Sequence, residues 1–272
     1  MLELKVKDEE LDTLLKDLLE IHGYDFTSYS KASLTRRINR LMMLDKHMSF
    51  AEFRYRLRSD NNYLKRFVEE ITVNVTEMFR DPDFYLYLRN KILPEIATKP
   101  FIRIWHAGCS TGEEVYSMAI LLHEANLLEK SIIYATDINP NVIEIAKRGI
   151  YSLGQMKLHS ENYIAGGGRN DFSSYYTAQY SQAIFKDSLR KKVVFATHNL
   201  VSDSSFNEFQ LILCRNVLIY FEKDLQDRVL HLFDASLEYL GYLALGTKET
   251  LKFSPVFSKF KQLERQKIWR KV

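Results

Sequence analysis

The stretch WHAGCSTGEE at residues 105–114 sets two glycines, two hydroxyl side chains and two consecutive carboxylates between a short apolar run and a helical pattern. Such a turn could cradle a phosphate, grip a nucleoside, or simply cross tightly from strand to helix. Phosphate is the poorest match. The turn lacks the G-x-x-x-x-G-K-[ST] arrangement, carries no lysine, and is not G-x-G-x-x-G. Glu113 and Glu114 suit the positive end of a helix dipole but would repel a pyrophosphate there. A ligand carrying a positive group suits the turn better.

Asp137 closes the next apolar run, SIIYATD, 24 positions beyond Glu113. In a doubly wound sheet that position faces the ligand crevice at the carboxyl ends of the strands. A carboxylate there can accept both hydroxyl protons of a ribose. The same Asp, two residues before Asn139-Pro140, also reads as a helix cap. A glycine turn unsuited to phosphate and an acid placed for ribose together favour an adenosyl sulfonium over a dinucleotide, which points to S-adenosylmethionine. Cys109 lies near a helix start, where a thiolate would be favoured, but no His–acid support accompanies it and packing is the expected role. His106 and His198 lack metal-ligand spacing, so both are read as structural and no metal site is expected.

The elements that must position these groups change character along the chain. Residues 8–98 read as helices. DEELDTLLKDLLEIHG repeats leucine at helical spacing and ends at Gly23, a C-cap candidate. KASLTRRINRLMMLDK puts Leu34, Ile38 and Leu41 or Met42 on one side, Ser49 and Glu52 form a capping-box pattern, and Asp81-Pro82 reads as an N-cap with a first-turn proline. After about residue 100, strand candidates (FIRIWHA, SIIYATD, KVVFATH, FQLILCR, YLALG, FKQLERQKIW) alternate with helix candidates (EEVYSMAILLHEANLL, NPNVIEIAKRGIY, EKDLQDRVLHLFDASLEYL). Alternation of this kind predicts a mostly parallel sheet covered on both sides. Residues 166–192, with GGG and FSSYYTAQYSQAIF, predict a small antiparallel insertion. The domain expectation is a helical unit with linker over 1–98 and an α/β unit over 99–272.

With 272 residues the chain can bury a full α/β core and a smaller second unit. A formal net charge of +3 does not by itself imply nucleic-acid binding, two cysteines argue against a disulfide framework, and no apolar run approaches a membrane span. Charge is nevertheless uneven. Residues 31–66 carry ten Lys/Arg against Asp45, Glu52 and Asp60, whereas residues 1–30 carry three Lys against eight Asp/Glu. Arg36, Arg37 and Arg40 lie in the basic block; a solvated helix face and a docking surface for an acidic partner both account for them.

Three segments, NVTEMFRD at 74–81, WHAGCSTGEEVYS at 105–117 and LILCRNVLIYF at 211–221, resemble the chemoreceptor glutamate O-methyltransferase (CheR) family, and the likeness covers nearly the whole chain. It implies a doubly wound α/β S-adenosylmethionine-dependent methyltransferase domain, an N-terminal helical domain for receptor recognition, and a small antiparallel β insertion. It also implies the reaction: methyl transfer to glutamate side chains on the cytoplasmic helices of chemoreceptors, leaving S-adenosylhomocysteine. A cytoplasmic enzyme recruited to membrane receptor arrays follows, without membrane insertion or nucleic-acid partner, and the β insertion resembles the part with which some relatives bind a receptor's tether.

Carried over by position, the resemblance places Asn74, Thr76 and Arg80 at the cofactor and active site. It sets Ala107 and Gly108 in the turn around the cofactor, Glu113 near its amino-acid portion, and Asp137 on the ribose. Asn199 and Leu200 match positions near adenine and methionine, and Asn216 and Tyr220 border the methyl-transfer pocket. Arg80, Asn216 and Tyr220 are thereby the catalytic candidates, with Arg80 holding the substrate carboxylate. Arg36, Arg37 and Arg40 are the receptor-binding candidates. Two departures stand out: Gln210 replaces an aspartate common before the fourth strand, and GTKET at 246–250 departs from GxSE while retaining Glu249. Methyl transfer to RNA or a small molecule, and a non-catalytic cofactor-sensing receptor-binding module, are the competing readings.

Overall fold

In a computed structural model, which describes residues 6–47, 49–72, 76–264 and 266–272, the leucine and aromatic stripes of the first seventy residues form four helices. They are α1 (Asp8–His22), α2 (Lys31–Leu44), α3 (Phe50–Ser59) and α4 (Asn61–Ile71). Each stripe is the buried face: Leu11, Leu14, Leu15 and Leu18 in α1, Leu34, Ile38, Leu41 and Met42 in α2. Burying such a side chain fully stabilises by roughly 1.5–3 kcal/mol. Gly23 adopts φ +75° and ends α1, its N–H and that of Tyr24 returning to Leu19 and Leu18. Ser49 Oγ accepts the Glu52 N–H at 3.2 Å, the serine half of the expected capping box.

The chain divides into two compact units. The first comprises Met1–Val73 with Val217–Val229, and the second Asn74–Asn216 with Leu230–Val272. In the first unit, the segment after Asn216 lies against the α1–α2 connection. The Ser30 N–H donates to the Tyr220 carbonyl at 2.9 Å, the Glu222 N–H donates to the Ser28 carbonyl at 3.0 Å, and the Tyr29 and Phe221 rings meet edge to face.

The second unit opens with α5 (Pro82–Tyr87), which runs through a π turn at Leu88–Ile92 into α6 (Leu93–Ile96). It continues β1 (Ile102–Ala107), α7 (Glu113–Glu124), β2 (Ser131–Asp137), α8 (Pro140–Arg148), β3 (Ile150–Ser152), α9 (Met156–Ala165), β4 (Tyr176–Gln179), β5 (Gln182–Phe185), α10 (Asp187–Arg190), β6 (Val193–Thr197) and β7 (Phe209–Cys214). After α11 (Lys223–Ser236), which starts in the first unit, come β8 (Leu237–Leu245), β9 (Phe260–Gln262) and β10 (Ile268–Lys271).

Seven strands form one sheet in the order β6-β2-β1-β7-β8-β10-β9, parallel from β6 to β8 and antiparallel where β10 joins. The order runs outward in both directions from β1, so the topological switch lies between β1 and β7, and a crevice opens at their carboxyl ends. This is the doubly wound sheet the alternation predicts. The small antiparallel sheet is also present, in the order β3-β5-β4, and draws its third strand from 150–152. Gln210, buried in β7, accepts the Arg103 N–H through Oε1 and donates to Glu238 through Nε2, so it fastens β7 to both neighbouring strands.

Two local expectations are corrected. The helix candidate ending SLEYL stops at Ser236, and the strand starts at the next residue. FKQLERQKIW is two strands, β9 and β10, with Glu264 at φ +48° in the turn between them.

Candidate active site

At the switch point β1 ends in a turn built on left-handed backbone. Gly108 has φ +80°, Ser110 φ +51° and Gly112 φ +94°. A side chain at Gly112 would also collide: its Cβ would lie 2.8 Å from that of Ala146. The N–H groups of Gly108 and Cys109 both donate to the Thr136 carbonyl, at 2.8 and 2.9 Å, tying the turn to β2. The Ser110 N–H donates to Asp137 Oδ2 at 2.9 Å, and the Asn139 N–H reaches Oδ1 at 3.0 Å. Asn139, rather than Asp137, caps α8, its Oδ1 accepting the Asn141 N–H.

Glu113 opens α7 and is 5% exposed. Burial pushes its carboxyl up to about 7, outweighing the hydrogen bonds from Thr111 Oγ1 and from the backbone. Burial likewise raises Asp137 despite its three backbone N–H partners. Ser110 Oγ is buried in the same turn with no hydrogen-bond partner among the described residues. Two desolvated carboxylates and an unpaired hydroxyl therefore line a glycine turn. A ligand with a cationic end and paired hydroxyls satisfies all three; a pyrophosphate would set its charge against both carboxylates. The donor set fits S-adenosylmethionine.

The other candidates distribute as follows. Ala107 is buried at the end of β1 beside the turn. Asn199 and Leu200 follow β6, the strand paired with β2 so that Thr197 stands opposite Asp137. Asn199 Oδ1 accepts the Val201 N–H, and the Asn199 N–H donates to Asp203. Asn216 follows β7 in left-handed backbone, φ +62°. Its N–H donates to Glu249 Oε2 at 3.0 Å, and the same oxygen takes the Gly246 N–H at 2.6 Å. Glu249 thus fixes the loops after β7 and β8, the role retained through the altered GTKET motif. Thr76 and Arg80 are half-buried before α5, and Asn74 lies outside the described residues. These groups belong to the second unit.

Tyr220 belongs to the first unit, where the Arg37 guanidinium lies 5.8 Å from its ring centre. The three α2 arginines have different surroundings. Arg36 and Arg40 are exposed, with no ion pair among the described residues. Arg37 is half-buried, its Nη1 directed at the Glu70 carbonyl at 3.4 Å, and burial lowers its pKa from the usual arginine range.

Asp81 corrects a further expectation. It stands at the α5 cap position, but with φ +59° and no side-chain cap bond; its carboxylate pairs instead with the buried Arg215 at 2.5 Å. Arg215 also donates to Glu114 Oε2 at 2.9 Å, and Glu114 Oε1 accepts from His106 Nδ1 at 2.9 Å. Burial alone would raise the Glu114 carboxyl, but the His106 hydrogen bond and the Arg215 charge hold it below its ordinary value. Only one local signal marks Arg215 in the sequence, an arginine between the apolar run LILC and Asn216.

Cys109 and Cys214 are both buried, and burial drives both thiols well above their ordinary value, which suits packing rather than nucleophilic attack. His198 packs against Trp105 and Phe206. Among the described residues no three His, Cys, Asp or Glu group as metal ligands, and no helix is long and apolar enough to cross a membrane.

Comparison with known proteins bears on the family and the cofactor. Residues 9–72 match the CheR methyltransferase all-alpha domain and residues 74–268 the CheR methyltransferase SAM binding domain. The chain is 49% identical over 265 residues to the putative methyltransferase Cher3 of Pseudomonas putida, covering 97% of each. It is 31% identical to a chemotaxis protein methyltransferase of Listeria innocua, over 84% of this chain and 85% of that one. It is 37% identical to chemotaxis protein methyltransferase 1 of Vibrio cholerae, over 68% and 67%. With both family domains in order along nearly its whole length, the chain belongs to the CheR methyltransferase family and is an S-adenosylmethionine-dependent methyltransferase.

Proposed function

We propose that the protein methylates glutamate side chains on the cytoplasmic helices of chemoreceptors, forming glutamyl methyl esters for sensory adaptation. The observation that carries this reading is the residue type in the turn before α5, an arginine, Arg80, flanked by left-handed Phe79 and Asp81, rather than a base. Glutamate is already ionised near neutral pH, so its oxygen needs alignment rather than deprotonation. Arg80 offers a planar fork for that carboxylate. An RNA hydroxyl or an amine would require a proton acceptor in its place. The names of the Listeria and Vibrio relatives support a place in chemotaxis.

In this reading S-adenosylmethionine supplies an electrophilic methyl group. Asp137 accepts the ribose hydroxyls, Glu113 faces the cationic amino-acid end, and Ala107 and Gly108 admit the ligand close to the backbone. Asn74, Thr76, Asn199 and Leu200 complete the cofactor contacts. Asn216 and Tyr220 orient the acceptor. The 1–98 region recognises the receptor, with Arg36 and Arg40 meeting acidic side chains; the enzyme works in the cytoplasm at receptor arrays. Strand β4, at the end of the small sheet, offers backbone for an extended receptor tail.

Tritiated methyl transfer to purified receptor fragments, followed by release of label in alkali, tests the proposal. Base-labile incorporation lost on Glu→Ala change of the acceptor is expected; alkali-stable label, or none, overturns it.

A further inference from the structure

The turn that carries Arg80 is held from four sides. Phe79 and Asp81, the residues flanking Arg80, both have left-handed backbone, φ +53° and +59°. Neither is a glycine, and such conformations persist only where the surroundings over-determine them. The Phe79 ring is fully buried against Tyr85 and Tyr163, and its N–H donates to Ser117 Oγ at 2.9 Å. Asn162 Nδ2 donates to the Met78 carbonyl at 3.1 Å. On the other side stands Arg215, its Nη2 on the Asp81 carboxylate at 2.5 Å and on the Arg80 carbonyl at 3.3 Å.

Arg215 is itself immobilised. Its Nη1 is fixed by Glu114, Glu114 is fixed by His106 from β1, and the guanidinium lies 4.1 Å over the Phe84 ring. Its side chain is 2% exposed, so it is no surface for a substrate. It follows Cys214 at the carboxyl end of β7 and precedes Asn216, whose N–H is held by Glu249.

We propose that Arg215 is a positioning residue for methyl transfer, using its two amino groups to transmit the register of β1 and β7 to the turn that presents Arg80. The inference rests on the reading of Arg80 as the group that holds the acceptor carboxylate. A planar fork is needed, because one amino group must point to Glu114 while the other reaches both the Arg80 carbonyl and Asp81. Lysine keeps the charge and loses the fork. The effect should fall on kcat more than on cofactor binding, since His106 and Glu114 adjoin the glycine turn but none of these contacts is made to Gly108, Glu113 or Asp137.

A double-mutant cycle on single-turnover rate tests this, using Arg215→Lys, Arg80→Ala and their combination, with S-adenosylhomocysteine affinity measured in parallel. Arg215→Lys should slow transfer about tenfold or more, with affinity held within about threefold. In the Arg80→Ala background it should add about twofold or less, because the group it positions is gone. A general loss of structure would instead slow both backgrounds alike and weaken cofactor binding. A wild-type rate for Arg215→Lys, or full additivity, overturns the inference while leaving the role of Arg80 intact. A wild-type rate for Arg80→Ala overturns the underlying reading, and the inference with it. Asp81→Ala, which removes the acceptor at the half-exposed end of the same link, covers the case in which Arg215→Lys fails to fold. It should slow transfer with the same non-additivity, and a wild-type rate there also overturns the inference.

Discussion

The Ser110 N–H donates to Asp137 Oδ2 at 2.9 Å, so the turn after β1 orients the carboxylate at the end of β2. One oxygen is committed to Ser110 and the other to the Asn139 N–H, which leaves the remaining lone pairs directed by two strands at once. Asp137→Ala should therefore weaken S-adenosylmethionine and S-adenosylhomocysteine together, by about 2–5 kcal/mol for lost buried charge-assisted bonds. Calorimetry with both ligands checks this; unchanged affinity in a folded variant removes Asp137 from the site.

Arg80→Ala separates chemistry from binding. Product-cofactor affinity should stay close to wild type while single-turnover transfer to a receptor fragment falls about 100-fold or more, the range expected when a positioned charged donor is lost. Arg80→Lys should recover only part of the rate, because the ammonium cannot offer two parallel bonds.

Glu113 gives the site a pH signature. Burial raises it to about 7 in the free protein, above its ordinary value of 4.5. Between those values the folded state holds a proton that the unfolded state has released, so stability falls as pH rises through this window. The ionised form costs on the order of 3 kcal/mol above neutrality. Glu113→Gln should accordingly raise the melting temperature of the ligand-free protein at pH 8 and change it little at pH 4. A cationic ligand favours the ionised form, so cofactor affinity should drop as pH falls below about 7. In the Gln variant it should be weaker and flat. Thermal melts and calorimetry across pH 5–8 report both.

The α2 arginines call for separate tests. Arg36 and Arg40 are exposed, so reversing both to Glu should raise receptor KM with kcat and cofactor affinity unchanged. Single changes should be small, since exposed pairs contribute about 0–1 kcal/mol, and rising salt should erode the wild-type advantage. Arg37 should behave differently: its guanidinium lies near the Tyr220 ring and is directed at the Glu70 carbonyl, so Arg37→Ala should lower stability and kcat as well. Steady-state methylation with a circular-dichroism control distinguishes the two patterns.

The strands and helices that carry strong periodicity were legible without a structure, and so was the turn at 105–114, because its chemistry is local. Failures came where a distant partner decided the outcome. Asp81 before Pro82 has every local mark of a helix cap, yet a buried guanidinium 134 residues away takes its carboxylate. Leu230, Phe233 and Leu237 continue one apolar helical stripe, so nothing in their spacing marks the change to strand at Leu237. Paired β8 is set by β7 and β10, and no pattern within 237–245 contains those neighbours. Glu113 and Asp137 were visible as acids, but their raised affinity for protons depends on burial that only the assembled sheet creates.

The first unit is completed by a segment that the ribosome makes late. Ser28, Tyr29 and Ser30 find their partners in Tyr220, Phe221 and Glu222, and residues 74–216 must be synthesised before those partners exist. At about 5–20 residues per second, that delay is on the order of ten to thirty seconds. The nascent N-terminal helices spend it without their closing strap, and a fragment ending at residue 73 never acquires one. Expression of the helical region alone thus yields a polypeptide with an uncovered face, whereas a circular permutant that brings 217–229 next to the first helices restores the contact early in translation.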